Sequence, residues 1–166
     1  DTSIPTNYRP ISLTCTSCKI LEHIILKLLT KHVEKNNLIS LSQHGFRSGL
    51  STVTQLAEAI HDFGLAINEQ SQIDVIFLDF SKAFDRVSHS KLITKLIDKL
   101  GNGPIVEWIS DYLSDRYQFV HYNGQNSDTV KVLSGVPQGS VLAPLLFLLF
   151  IDDIVESVNV KIRLFA

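Results

Sequence analysis

Val75-Ile76-Phe77-Leu78-Asp79-Phe80-Ser81-Lys82-Ala83-Phe84-Asp85 is the stretch on which the fold turns. Its four leading apolar residues form a short continuous run, the pattern of a strand covered on both faces. The run breaks at Asp79, which places a carboxylate at the tip of a rigid element with its oxygens in the loop beyond. An aspartate in that position either caps the following turn or binds a hard cation, and the residues alone leave both open.

Downstream, Ser90 can cap a helix whose stripe is Leu92, Ile93, Leu96, Ile97 and Leu100, stopped by Gly101. Pro104 suits the first turn of another helix, with Val106, Ile109, Tyr112 and Leu113 inward. Residues 117–122 and 129–133 are rich in aromatic and β-branched side chains and flank Asn123-Gly124, so a β-hairpin is expected. Ser134-Gly135-Val136-Pro137-Gln138-Gly139-Ser140 then leads into an apolar helix running from beyond Leu142 to near Asp153. Val160, Ile162 and Leu164 alternate with Lys161 and Arg163, as a half-buried strand does.

Upstream, a long amphipathic helix is predicted from Ser17 to near Asn36-Asn37, with Ile20, Leu21, Ile24, Ile25, Leu28 and Leu29 as its core stripe. A glycine-bearing loop over 42–49 follows, and Ser51 can cap a second helix through Leu56, Ala59, Ile60, Phe63 and Ile67. Cys15 and Cys18 form a lone C-x-x-C, the spacing of a redox pair or of half a zinc site; with no second ligand pair for a structural zinc, they read as small hydrophobes and not as metal or redox groups.

The chain has 166 residues, 45% hydrophobic and 19% charged, enough for one domain with a sizeable core. Its formal charge of −2 excludes a global basic field, so any nucleic-acid contact must be local. The longest apolar stretch, residues 141–151, contains Pro144 and suits a buried helix, not a membrane span. There is no methionine and the first residue is Asp1, so the sequence reads as an internal segment.

The 134–140 segment is the second candidate site. Its glycines allow close backbone approach, and Gln138 offers both a donor and an acceptor, so the turn can meet an anion or a base pair. Taken alone, it reads as an ordinary strand-to-helix turn. Ser140 lacks the G-x-S-x-G surroundings of a nucleophile.

Together and in this order, these pieces resemble the reverse transcriptases, most closely those of non-LTR (LINE-type) retrotransposons. Asn7-Tyr8-Arg9-Pro10-Ile11-Ser12-Leu13 is similar to the first fingers motif, and Gln43-His44-Gly45-Phe46-Arg47 followed by Ser51-Thr52 to the second. Residues 77–85 resemble motif A of the palm, and residues 134–144 resemble motif B.

The resemblance implies an α/β fold: the fingers (about 1–72) and palm (about 73–166, ferredoxin-like) of a right-hand polymerase, without its thumb. By the same resemblance Asp79 is the catalytic aspartate that binds Mg2+ (Mn2+ as substitute), with the Phe80 carbonyl as a supplementary ligand. Phe84 matches the steric gate against a ribose 2′-hydroxyl. Gln138 and Gly139 lie at the incoming nucleotide, as do the fingers cations Arg47 and Arg9, while Pro137 and Pro144 lie toward template and primer. Lys82 is assigned a structural or surface role, and Asp85 local hydrogen bonding.

The implied activity is RNA-directed DNA polymerisation. Its partners are an RNA template, a DNA primer and dNTPs, without a membrane, and its setting is intracellular, nuclear for a parent element. Motif C carries an Asp pair in a turn between strands, and the chain reaches Phe165-Ala166 just before it is expected. The segment is therefore expected to be inactive alone, with motif C, thumb and any endonuclease elsewhere in a polyprotein. Asp152-Asp153 imitates that pair but falls at a helix end and reads as a polar helix terminus. The alternatives are a group II intron type of reverse transcriptase, a non-catalytic remnant that binds nucleic acid at most, and a metal-dependent phosphohydrolase. The last often carries a second acid two residues on, where this chain has Ser81.

Overall fold

The computed structural model describes every residue except 2, 5, 6, 10 and 166, so Pro10 and Ala166 lie outside the described residues. Helix α1 spans Thr16–Lys35, and its N-cap Cys15 accepts the Cys18 N–H. It buries Ile25, Leu29 and Val33, but also Glu22, while Ile20, Leu21, Ile24 and Leu28 are exposed. Four of the six predicted stripe residues are thus on the open side. The 3.6-residue period shows that a helix has an apolar side, but which edge of that side is covered depends on a neighbour distant in sequence.

Helix α2, Thr52–Asn68, begins at Ser51 with a capping box to Thr54, as the Ser-x-x-Thr spacing permits. None of its residues is fully buried. It is fastened to the last residues by ion pairs from Arg163 to Glu58 and Asp62 and by Lys161 Nζ to Asp62 Oδ1 at 2.6 Å. These hydrogen bonds, from Lys161 first and then Arg163, hold the Asp62 carboxyl below the usual carboxylate range.

The core lies among α3 (His89–Leu100), α4 (Pro104–Leu113) and α5 (Ala143–Ile151), with one face of α1 added. Helix α3 is capped by Ser88 instead of Ser90, and Gly101 ends it at a φ of +79°. Leu92, Leu96, Ile109, Leu142, Leu146 and Leu149 are fully enclosed. Six of the nine α5 residues are buried, which explains why a helix apolar on all sides is stable there without crossing a membrane. Among the described residues no helix is long and apolar enough for a membrane span.

The hairpin forms as two short paired pieces. β1 (Tyr117–Gln118) pairs antiparallel with β4 (Val130–Lys131), and β2 (His121–Tyr122) with β3 (Gln125–Asn126). Asn123 and Gly124 both have positive φ, 50° and 74°, as a type I′ turn demands. Helices and strands together fit the α/β expectation.

Two predicted strands do not form. Residues 71–80 have no regular structure, and Ile76, Phe77 and Leu78 are 83%, 91% and 77% exposed, the reverse of a covered strand. A β-strand is stable only when a neighbour takes up its N–H and C=O groups, and among the described residues none pairs with this run. Residues 160–164 make a single parallel bridge, Leu164 to Gln43, for the same reason. The C-x-x-C thiols are exposed, not packed as small hydrophobes, because they occupy the open first turn of α1.

Candidate functional site

The loop after Asp79 and the turn at 134–140 are built against each other. Lys82, at a φ of +54°, accepts the N–H groups of Asp85 and Arg86 through its carbonyl, and this tight turn leads into a 3-10 helix over Phe84–Arg86. The Phe84 carbonyl accepts the Val136 N–H at 2.9 Å, and the Val87 carbonyl accepts the Gly135 N–H at 2.8 Å. Ser134 Oγ donates to the Asp85 carbonyl at 3.0 Å, and His89 Nε2 donates to the Gly135 carbonyl at 2.8 Å. Asp85 therefore does make local hydrogen bonds, through its backbone. Lys82 is exposed at the turn.

Gly135 is required at this junction. Its φ is +91°, and a Cβ there would lie 2.9 Å from the Asp85 carbonyl oxygen. Gly135→Ala is expected to lower stability by roughly 2 kcal/mol or more, read from the urea midpoint, because strain and clash act together. An unchanged midpoint would contradict the rigid junction.

Beyond it, the Gln138 carbonyl accepts the Ser12 N–H at 2.7 Å, and Gly139, at a φ of +105°, leaves room for the Ser12 carbonyl. The Gln138 side-chain amide makes no hydrogen bond with the described residues and is half-buried. Ser140 is buried, and its Oγ accepts the Ala143 N–H at 3.1 Å, which steadies the entry to α5. Glu22 of α1 reaches the same corner, where its Oε2 accepts the N–H groups of Val141 at 2.7 Å and Leu142 at 3.2 Å.

The aromatic side chains join a third segment. The Phe84 ring stacks on Phe147 of α5 with centroids 4.6 Å apart and meets Phe46 edge-on at 6.3 Å. Arg47 follows Phe46 and donates from Nη1 to the Ser40 carbonyl at 2.8 Å. Arg47 and Pro144 line one cleft of about 240 Å3, with Phe46, Val141 and Leu148. The fold thus brings Phe46, Arg47, Phe84 and Pro144 together against α5, with the Pro137–Gly139 turn preceding that helix in the chain.

Asp79 and Phe80 are exposed at the open end of the same loop, and the Asp79 carboxylate makes no hydrogen bond or ion pair with the described residues. Arg9 is exposed and makes no hydrogen bond or ion pair with the described residues. Asp152 and Asp153 are occupied elsewhere. Asp152 Oδ2 pairs with Lys99 at 2.6 Å while its Oδ1 accepts the Ser40 N–H, and Asp153 pairs with Lys95 at 2.7 Å. They are a structural helix terminus, as expected.

Among the described residues no three His, Cys, Asp or Glu side chains gather closely enough to hold a metal ion. Asp79 and the neighbouring Phe80 carbonyl fit part of a hard-cation ligand set, since both residues are exposed, but not a whole one. Three residues of the site were missed from the sequence: Glu22, Ser12 and His89. Only Glu22 left a signal, a carboxylate three and seven residues before the core positions Ile25 and Leu29 on the face they share.

Residues 1–166 match the family described as reverse transcriptase (RNA-dependent DNA polymerase). The chain is 36% identical, over 90% of its length, to the probable RNA-directed DNA polymerase from transposon BS of Drosophila melanogaster. It is 35% identical over 89% to the RNA-directed DNA polymerase from mobile element jockey of the same species. It is 30% identical over 96% to a retrovirus-related Pol polyprotein from type-1 retrotransposable element R2 of Popillia japonica. The aligned part makes up 16%, 16% and 22% of those proteins, so the chain spans about a sixth to a fifth of their length.

Proposed function

We propose that this chain, which belongs to the reverse transcriptase (RNA-dependent DNA polymerase) family, forms the nucleotide-facing part of an RNA-directed DNA polymerase of a non-LTR retrotransposon. The observation that carries this reading is the hydrogen-bonded junction of residues 84–87 with 134–136. It sets Phe84 and the Gln138 turn side by side at the head of α5. In this reading residues 1–72 act as fingers and 73–166 mainly as palm, with the thumb outside the chain.

Phe84 closes the sugar site. Its ring is fixed between Phe46 and Phe147, so it cannot swing aside for a 2′-hydroxyl, and deoxynucleotides are selected. The Gln138 amide offers a donor and an acceptor to the base pair or sugar, and Pro137 and Gly139 give the turn its shape. Arg47 and Arg9 supply cations for the phosphates, and Pro144 borders the template side. Asp79, with the Phe80 carbonyl, contributes to the Mg2+ (or Mn2+) ligands, and acids beyond those described here complete the set. The ions, when bound, activate the primer hydroxyl and neutralise the triphosphate.

The test is RNA-templated extension of a DNA primer by a longer protein that contains these residues together with the rest of a reverse transcriptase. dNTP incorporation that needs template and divalent ion supports the reading. Template-independent addition, or none, overturns it. In the same assay Phe84→Val is expected to raise rNTP relative to dNTP incorporation about tenfold or more. An unchanged ratio removes Phe84 from the gate.

A further inference from the structure

Outside the 84–87/134–140 junction, the least explained chemistry in the molecule is the thiol pair at the start of α1. Cys15 Sγ and Cys18 Sγ are 3.0 Å apart and hydrogen-bonded, and both side chains are exposed. The pair is held by local geometry. Cys15 is the helix N-cap, so its sulfur accepts the Cys18 backbone N–H at 3.4 Å, and Ser17 Oγ lies 3.2 Å from the same sulfur. A disulfide needs an S–S distance of about 2.05 Å, so closure requires only about 1 Å of movement within one helical turn.

We propose that Cys15 and Cys18 form a reversible dithiol–disulfide site that exchanges with small-molecule disulfides of the glutathione class. The two cysteines have different parts. Hydrogen bonds from the Ser17 hydroxyl and then from Cys18 bring the Cys15 thiol down to about 7, while the bond it shares with Cys15 pushes Cys18 up. Cys15 is therefore the attacking thiolate and Cys18 the resolving thiol.

The exchange balances in two steps. The Cys15 thiolate attacks one sulfur of the oxidised reagent, the reagent S–S bond breaks, and one reduced thiolate leaves with a mixed disulfide on Cys15. Cys18 then loses its proton and attacks Cys15 Sγ, the mixed disulfide breaks, and the second thiolate leaves. The protein gives up two electrons and two protons, and the reagent becomes two thiols.

The site lies close to the proposed nucleotide turn. Ser12, three residues before Cys15, donates to Gln138, and Glu22, on the same helix, holds Val141 and Leu142. The proposal does not depend on polymerase activity.

These are the only two cysteines in the 166 residues, so thiol counting is unambiguous. The reduced chain is treated with oxidised glutathione at pH 7, quenched with maleimide and weighed. The expected product is a monomer lighter by two hydrogens, with no maleimide added. Cys18→Ser should stop at a mixed disulfide on Cys15 and should form it several-fold faster than Cys15→Ser forms one on Cys18. Urea should remove that rate advantage. Two maleimides on the treated chain, a disulfide-linked dimer as the main product, or equal rates for the two variants with and without urea would each overturn the proposal.

Discussion

Asp79→Asn, in a longer protein that contains this chain and the remainder of a reverse transcriptase, is expected to lower templated dNTP incorporation by about a hundredfold to a thousandfold. Transferring a phosphoryl group builds negative charge that fixed cations must offset, and removing one preorganised electrostatic contribution commonly costs two to three orders of magnitude, i.e. about 10²–10³ in rate. Asparagine keeps the shape and one oxygen of the carboxylate but not its charge. The same substitution should leave stability unchanged, because Asp79 is exposed and bonded to none of the described residues. A variant as stable as the parent but inactive separates a chemical role from a structural one. Activity within tenfold of the parent would remove Asp79 from the metal site, and a large fall in the melting temperature would make it a structural residue.

The extended run that ends in Asp79 shows where sequence reading reached its limit. Helices α1 to α5 were legible because each depends on contacts three or four residues apart and on caps within one turn: Ser51 with Thr54, Pro104 at the first turn, Gly101 at a positive φ. The Asn123-Gly124 hairpin was legible for the same reason. A run such as 75–78 carries no local information about its partner, since the hydrogen bonds that make it a strand belong to another segment. Its apolar residues led to the expectation of a covered strand, and the structure does not bear that out. Ile76, Phe77 and Leu78 remain open to solvent, together with Leu133 at 79% and Val160 at 74% exposure.

The candidate site divides along the same line. Phe84, Gln138, Arg47 and Pro144 were picked out by their place in motifs, and the structure sets Phe84, Arg47 and Pro144 against α5. What holds them was not legible, because the junction is made mostly of backbone groups, with Ser134 Oγ and His89 Nε2 added. The carbonyls of Phe84, Asp85 and Val87 and the N–H groups of Gly135 and Val136 carry no side-chain signature except the glycine itself.

Glu22 is the side chain that ties helix α1 to the turn entering α5, and its removal should have the second largest effect. It is 1% exposed, and its Oε2 satisfies two N–H groups at the start of α5 that no helical carbonyl can reach. Placed there, a carboxylate also meets the positive end of the helix. Beside it lies Tyr112, whose phenol is pushed up chiefly by burial. Glu22→Ala leaves both N–H groups buried without an acceptor and opens a space beside Leu142, for a loss of about 3 kcal/mol in urea denaturation. Glu22→Gln keeps one amide oxygen for those N–H groups and should lose about half as much. In the longer protein Glu22→Gln should raise KM for dNTP more than it lowers kcat, because the 138–142 turn loosens while Asp79 stays in place. Equal stability for Ala, Gln and the parent would show that α5 is capped by other means, and a kcat loss without a KM change would separate Glu22 from the nucleotide turn.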